Sequence, residues 1–235
     1  MLEKTIHDTR FMLPPLSPNL EGDVLLFDKP IKCTSFDLVN KVKNFLRKTH
    51  KVKIKVGHAG TLDPLASGVL LICIGSFTKK IAEYQTQEKE YTGTFIMGAT
   101  TPSFDLEKPV DVRFPYEHIT LELAQQTAQT FVGEIAQVPP LYSAVRIAGR
   151  RAFSYARDGQ EVQIEPKNIT IYSFEITRFA LPEIDFKVIC SKGTYIRSLA
   201  RDFGLALDSG AHLSALRRTR IGEFRVENAI QTISI

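Results

Sequence analysis

Gly57-His58-Ala59-Gly60-Thr61-Leu62-Asp63-Pro64-Leu65-Ala66-Ser67-Gly68 runs without a break into Val69-Leu70-Leu71-Ile72-Cys73-Ile74-Gly75, and the reading of the whole chain turns on this stretch. Gly68 to Gly75 is a continuous apolar run bounded by glycines, the pattern of a strand buried on both faces. Ahead of it, glycines at 57, 60 and 68 permit positive φ and close backbone approach, and Pro64 stiffens the turn immediately after a carboxylate. The segment therefore presents Asp63 on a rigid loop over a core strand. An Asp-Pro pair alone is ordinary turn chemistry, so the loop by itself makes Asp63 a candidate and no more.

Working outward toward the N-terminus, Val24 to Phe27 reads as a strand, Lys29 and Pro30 as a turn, and Ser35 as the cap of a helix. Phe36, Val39, Val42, Phe45 and Leu46 fall at helical spacing in that helix. LPPLSP at 13–18 marks an irregular arm. Toward the C-terminus, Thr78 to Tyr84 suits a short helix, Tyr91 to Met97 a strand, and Thr120 to Phe131 a helix. Pro139-Pro140 excludes helix at that point, where a projecting segment begins. Lys167 to Phe179 and Ile184 to Ser191 are β-rich and joined by a turn around Pro182, which suits antiparallel pairing. Tyr195 to Leu207 is an amphipathic helix, and His212 to Arg220 a last strand before a short helix or tail. This irregular alternation predicts an α/β (α+β) fold with a mixed, mainly antiparallel sheet flanked by helices. No repeat or flexible linker divides the chain, so one catalytic domain over 1–235 is expected.

Thirty Lys and Arg against 26 Asp and Glu give a formal charge of +4. The distribution is more informative than the total: Lys41, Lys43, Arg47, Lys48, Lys51, Lys53 and Lys55 form one group, Arg146, Arg150, Arg151 and Arg157 a second, and Arg217, Arg218, Arg220 and Arg225 a third. Any one group is ordinarily a solvated face; three together are compatible with a polyanionic partner. MLEKTIHDTRF lacks the apolar run of a secretory signal, and no window reaches membrane-spanning length, so a cytoplasmic protein with no membrane partner is expected. Cys33, Cys73 and Cys190 suggest neither a disulfide framework nor a metal site, and Cys73 within VLLICIG reads as a small hydrophobe.

GHAGTLDPLASGVL closely resembles the catalytic loop of the TruB family of tRNA pseudouridine synthases, which usually has threonine at the place of Ser67. The resemblance continues through DKPIKCTS at 28–35, KEYTGTF at 89–95, VPPLYSAVRIAGRRAFSYARDG at 138–159, CSKGTYIRSLARDFG at 190–204 and LRRTRIGEF at 216–224. It implies a pseudouridine synthase fold with an RNA-binding insertion at about 137–160 and, unlike many relatives, no C-terminal PUA domain. The implied activity is isomerisation of a uridine at position 55, in the T-loop of tRNA. Asp63 becomes the essential aspartate, Tyr91 the active-site tyrosine that stacks on the target base, and Arg197 the arginine that pairs with the aspartate. Lys29, Tyr195 and Leu216 match positions near the bound nucleotide, and His58 a residue that helps displace the flipped base. Tyr142 and Arg146 lie in the RNA-contacting insertion.

The reaction breaks the N-glycosidic bond, turns the uracil and rejoins C5 to the ribose without net oxidation or water uptake, so no cofactor or metal is expected. A carboxylate can serve as nucleophile at C1′ or C6, or as base toward a sugar proton. By resemblance the partner is the T stem-loop of tRNA, with no obligatory protein partner and a monomeric enzyme. Two alternatives stand beside this reading: the guide-RNA-dependent rRNA pseudouridine synthases, which share the aspartate loop but against which the YSA insertion argues, and a non-catalytic tRNA-folding chaperone using the same surface, against which intact Asp63, Tyr91 and Arg197 argue. Three residues depart from the family pattern. Lys32 and Lys108 stand where or near where glycine is usual, and Arg146 where lysine is.

Overall fold

The computed structural model describes Leu13 and residues 22–51, 53–147, 149–160 and 162–231. The arm at 14–18 and the first eleven residues lie outside them, as does the tail from 232. The chain separates into two compact units, residues 1–87 with 218–235, and residues 88–217.

The first unit opens with β1 (Gly22–Lys29), α1 (Ser35–His50), β2 (Val56–His58) and β3 (Ser67–Gly75), followed by a 3-10 turn at Ser76–Lys80 and α2 (Ile81–Thr86). β1 and β2 each pair antiparallel with β3, setting Leu25 opposite Ile72 and Gly57 opposite Cys73. Alternate residues of β3 point to opposite faces. Leu70, Ile72 and Ile74 pack with Leu25, Phe27, Leu38, Val39, Val42 and Leu46, while Val69 and Leu71 pack with Ala59, Ile221 and Val226. Two apolar faces are what the uninterrupted run in the sequence expresses.

Helix α1 begins one residue earlier in its capping than the sequence suggests. Thr34, not Ser35, is the cap: its hydroxyl accepts from the Asp37 amide at 3.0 Å, and the Asp37 carboxylate accepts from the Thr34 amide at 2.9 Å. The reciprocal pair satisfies two otherwise orphaned donors. The apolar stripe is shifted accordingly. Leu38 takes the core position, and Phe36 is 65% exposed.

The second unit contains β4 (Lys89–Met97), β5 (Ala99–Thr100), β6 (Val112–Arg113), α3 (Leu121–Thr130), β7 (Gly133–Gln137), β8 (Arg146–Ile147), β9 (Arg150–Arg151), α4 (Ala152–Arg157), β10 (Lys167–Ala180), β11 (Glu183–Cys190), α5 (Ile196–Ala206) and most of β12 (Ala211–Ile221). The order β4-β11-β10-β7 is antiparallel throughout, with Pro182 in the β10–β11 turn. Its core is aromatic: Phe95 stacks on Phe186 at 4.1 Å between centroids, and Phe174, Phe131 and Phe203 close around them. Phe203 comes from α5 and Phe131 follows α3, which fixes the buried sides of both helices. The segment after Pro139-Pro140 forms the β8–β9 hairpin and α4, tied back by amides of Ala152 and Phe153 to carbonyls of Val145 and Ser143.

The end of β12 returns the chain to the first unit, where β13 (Phe224–Arg225), a 3-10 turn and β14 (Ile230–Gln231) follow. These two strands replace the expected short helix or tail. β14 pairs parallel with β1, Phe27 opposite Ile230, beside the antiparallel pairs of β1 and β2 with β3, so strand directions are mixed as expected. Among the described residues no helix is long and apolar enough to cross a membrane.

Candidate active site

In the first unit, the loop between β2 and β3 is anchored at nearly every step around Asp63. Gly60 and Gly68 have φ of 104° and 106°, and a Cβ at 68 would lie 2.2 Å from the Arg218 carbonyl oxygen. Only glycine admits that approach without displacing backbone. The Ala59 amide donates to Leu71 at 2.9 Å. Leu62 is buried, and its amide and carbonyl both bond the Ser35 hydroxyl, at 2.9 and 3.0 Å. The Lys32 amide donates to the Pro64 carbonyl at 2.7 Å, and the Asp63 carbonyl receives the Ala66 amide at 3.1 Å. Asp63 itself is half-buried at the centre of these bonds.

Lys29 is not the surface lysine a proline turn would suggest. It is the last residue of β1 with 0% exposure, and its ammonium donates to the carbonyls of Pro30 and Cys33 at 2.8 and 2.7 Å. Burial lowers its pKa to about 8; Cys33 and Asp63 oppose the shift and Arg218 adds to it. His58 ends β2 half-buried, and its Nδ1 is buried with no hydrogen-bond partner among the described residues. Burial lowers its pKa, and the Arg218 charge adds to this. A neutral imidazole follows at neutral pH.

Lys32, in the turn after β1, takes an unusual backbone conformation. Its φ is 62°, the left-handed region in which glycine has no Cβ penalty and lysine does. The third basic group also divides. Arg218, read as part of a polyanion-binding cluster, is 1% exposed, and its guanidinium donates to the carbonyls of Val69, Gly60 and Thr61 at 2.8, 3.2 and 3.4 Å. Sequence reasoning missed this inward role because Arg217, Arg218 and Arg220 look alike by type; alternation along a strand separates Arg218 from Arg217 but leaves it on the same face as Arg220.

The second unit holds the other candidates. Tyr91 is buried on β4 opposite Val188. Arg197, on the first turn of α5, is 5% exposed. It forms an ion pair with buried Asp105 at 3.6 Å and donates to the carbonyls of Ser103 and Tyr142 at 3.3 and 3.1 Å. Tyr195 is the residue preceding α5, and the Gln137 side chain holds it from both sides, accepting from its amide at 2.8 Å and donating to its carbonyl at 3.1 Å. Lys108 lies 5.6 Å from the centroid of the Tyr142 ring. Leu216 is half-buried on β12, and Arg146 is exposed on β8. Arg150, Arg151 and Arg157 are exposed and lie over Tyr155 or Phe153, forming a surface of alternating cations and rings. Among the described residues no group of three or more His, Cys, Asp or Glu is placed to hold a metal ion.

Residues 47–196 match the TruB family pseudouridylate synthase N-terminal domain, and residues 197–234 the tRNA pseudouridylate synthase B C-terminal domain. The chain is 60% identical to the tRNA pseudouridine synthase B of Flavobacterium johnsoniae, covering 90% of this chain and 93% of that one. With its counterpart from Phocaeicola vulgatus the identity is 54%, covering 91% and 92%. The Cbf5 chain in a Cbf5-Nop10-Gar1 complex superposes with a TM-score of 0.67 at 30% identity, covering 90% of this chain and 52% of that one. This chain thus spans about half of that solved structure's length. The fold and the loop around Asp63 define the class, a pseudouridine synthase. Within that class, the chain belongs to the TruB family.

Proposed function

We propose that this enzyme converts uridine 55 in the T-loop of tRNA to pseudouridine, with Asp63 as its catalytic residue. The observation that carries the reading is the bonding around Asp63. Leu62 is fixed by Ser35 and Pro64 by Lys32, so the carboxylate enters the reaction already positioned. Tyr91 stacks on the target base, and Arg197 orients the aspartate. Lys29, Tyr195 and Leu216 line the nucleotide, and His58 takes the place of the extruded base.

In the reaction the bond from N1 to C1′ breaks, the uracil turns, and C5 bonds to C1′. The proton on C5 is lost and N1 gains one, so atoms balance without a co-reactant. Asp63 acts as nucleophile at C1′ or C6, or as base toward the sugar. A stacked uridine hides this bond, and extruding it costs roughly a few kcal/mol. Phosphate contacts from the exposed lysines of α1 and stacking against the arginine-aromatic surface of 137–160 offset that cost. The enzyme acts in the cytoplasm as a monomer without an obligatory protein partner.

Pseudouridine mapping on an unmodified tRNA transcript, with no added cofactor, tests the assignment beside an Asp63→Ala control. Modification confined to the T-loop uridine and absent from the control is expected. Pseudouridine formed by the control would overturn the role of Asp63, and its absence with both proteins would overturn the activity.

A further inference from the structure

We infer that Arg218 is a positioning residue for the reaction, a buried clamp that sets the path of the loop carrying Asp63. The inference rests on the reading of Asp63 given above. Arg218 lies on β12, distant in sequence from the loop, yet its guanidinium reaches both ends of it. Nη1 and Nη2 donate to Thr61 and Gly60, two and three residues before Asp63, and Nε donates to Val69, just past the loop's exit. The backbone of the same residue abuts Gly68, whose positive φ and missing Cβ allow the approach. One residue thus brackets the loop through its side chain and its main chain.

The chemistry of the clamp requires a guanidinium. Three carbonyls from two chain segments accept from one guanidinium, whose rigid fork presents separate nitrogens to them at once. A lysine ammonium offers three donors from a single atom on a flexible stem, which can satisfy one or two of these oxygens but cannot span the pair of segments. The positive charge also contributes where it sits, since it lowers the pKa of both Lys29 and His58. Arg218 touches neither base nor sugar in this role. It acts by holding Gly60, Thr61 and Val69, and Ser35 and Lys32 hold the residues between.

The test is Arg218→Lys, beside wild type and Asp63→Ala, assayed below each protein's own melting transition. Turnover, KM for tRNA, tRNA affinity and hydrogen exchange at the amides of residues 57–68 are measured together. A loop displaced by an ångström lowers kcat on the order of 100-fold. KM and tRNA affinity should then stay within about threefold, because uniform binding is not what the clamp supplies. Exchange should quicken in the loop and stay unchanged in β10 and β11. A folded Arg218→Lys with kcat within about threefold of wild type overturns the inference. So does a loss of kcat that tracks tRNA affinity, or a protein that does not fold at any temperature, since either assigns Arg218 to binding or to fold stability instead. An active Asp63→Ala overturns the reading of the aspartate, whereas an inert Asp63→Ala with a fully active Arg218→Lys overturns only the clamp.

Discussion

Replacing Ser35 with alanine removes a single oxygen and should unfasten the loop from the helix beside it. The Ser35 side chain is buried, and its hydroxyl serves Leu62 twice, accepting from the amide at 2.9 Å and donating to the carbonyl at 3.0 Å. Leu62 is itself buried, so water does not readily replace either bond. An unsatisfied buried amide costs roughly 1–3 kcal/mol, and a carbonyl that keeps a second lone pair less, so about 2 kcal/mol is the expected loss. For a chain of this length that corresponds to a fall in Tm of about 4–8 °C. Thermal unfolding followed by circular dichroism reads the shift. Hydrogen exchange at Leu62 locates it, because the freed amide should exchange faster while the pairs between β10 and β11 remain protected. A Tm within about 1 °C of wild type, on the same scale, would refute the argument that this hydroxyl carries the loop, whatever the effect on turnover.

The αL backbone at Lys32 predicts that Lys32→Gly stabilises the protein by about 1 kcal/mol, net of the entropy glycine adds to the unfolded chain. A lower denaturation midpoint in urea would contradict it. Lys29 predicts a pH dependence. Its folded pKa of about 8 lies below its ordinary 10.5, so the unfolded chain holds the proton more tightly. Its penalty on folding is complete below pH 8 and is relieved as pH rises from there. Burial raises the Cys33 and Cys73 thiols, the latter to about 11, so their contribution declines with pH above 9 and the window for Lys29 is pH 8–9. Wild type should gain up to about 1.4 kcal/mol per pH unit relative to Lys29→Met there. Parallel stability curves from urea melts would rule this out.

The elements legible in the sequence were those with a sustained period. The apolar run of β3, the helical stripe of α3 and the paired β10 and β11 each repeat a signal over enough residues to rise above chance. The strands β5, β6, β8, β9, β13 and β14 are two residues each and have no period to read. Their pairing is set by tertiary position. At the start of α1 two hydroxyl residues compete for the cap, and sequence cannot tell that Ser35 is taken by Leu62, 27 residues away. The candidate site was legible through its loop motif, because glycine and proline constrain backbone locally. Arg218 was read as one cation of a basic group, and only its long-range bonds to Val69, Gly60 and Thr61 turn it inward.

The first unit is discontinuous in sequence, leaving at residue 87 and resuming at 218. During synthesis, residues 1–87, with the segments of the Asp63 loop, β1 and β3, therefore emerge before Arg218 and β14 are made. Translation of the intervening segment takes on the order of ten seconds at about 5–20 residues per second. Until it ends, the loop lacks one of its anchors and β1 lacks a neighbour. The enzyme's competence is thus timed to its own completion, and a chain interrupted before residue 218 carries the aspartate without the bonds from Arg218 that aim it.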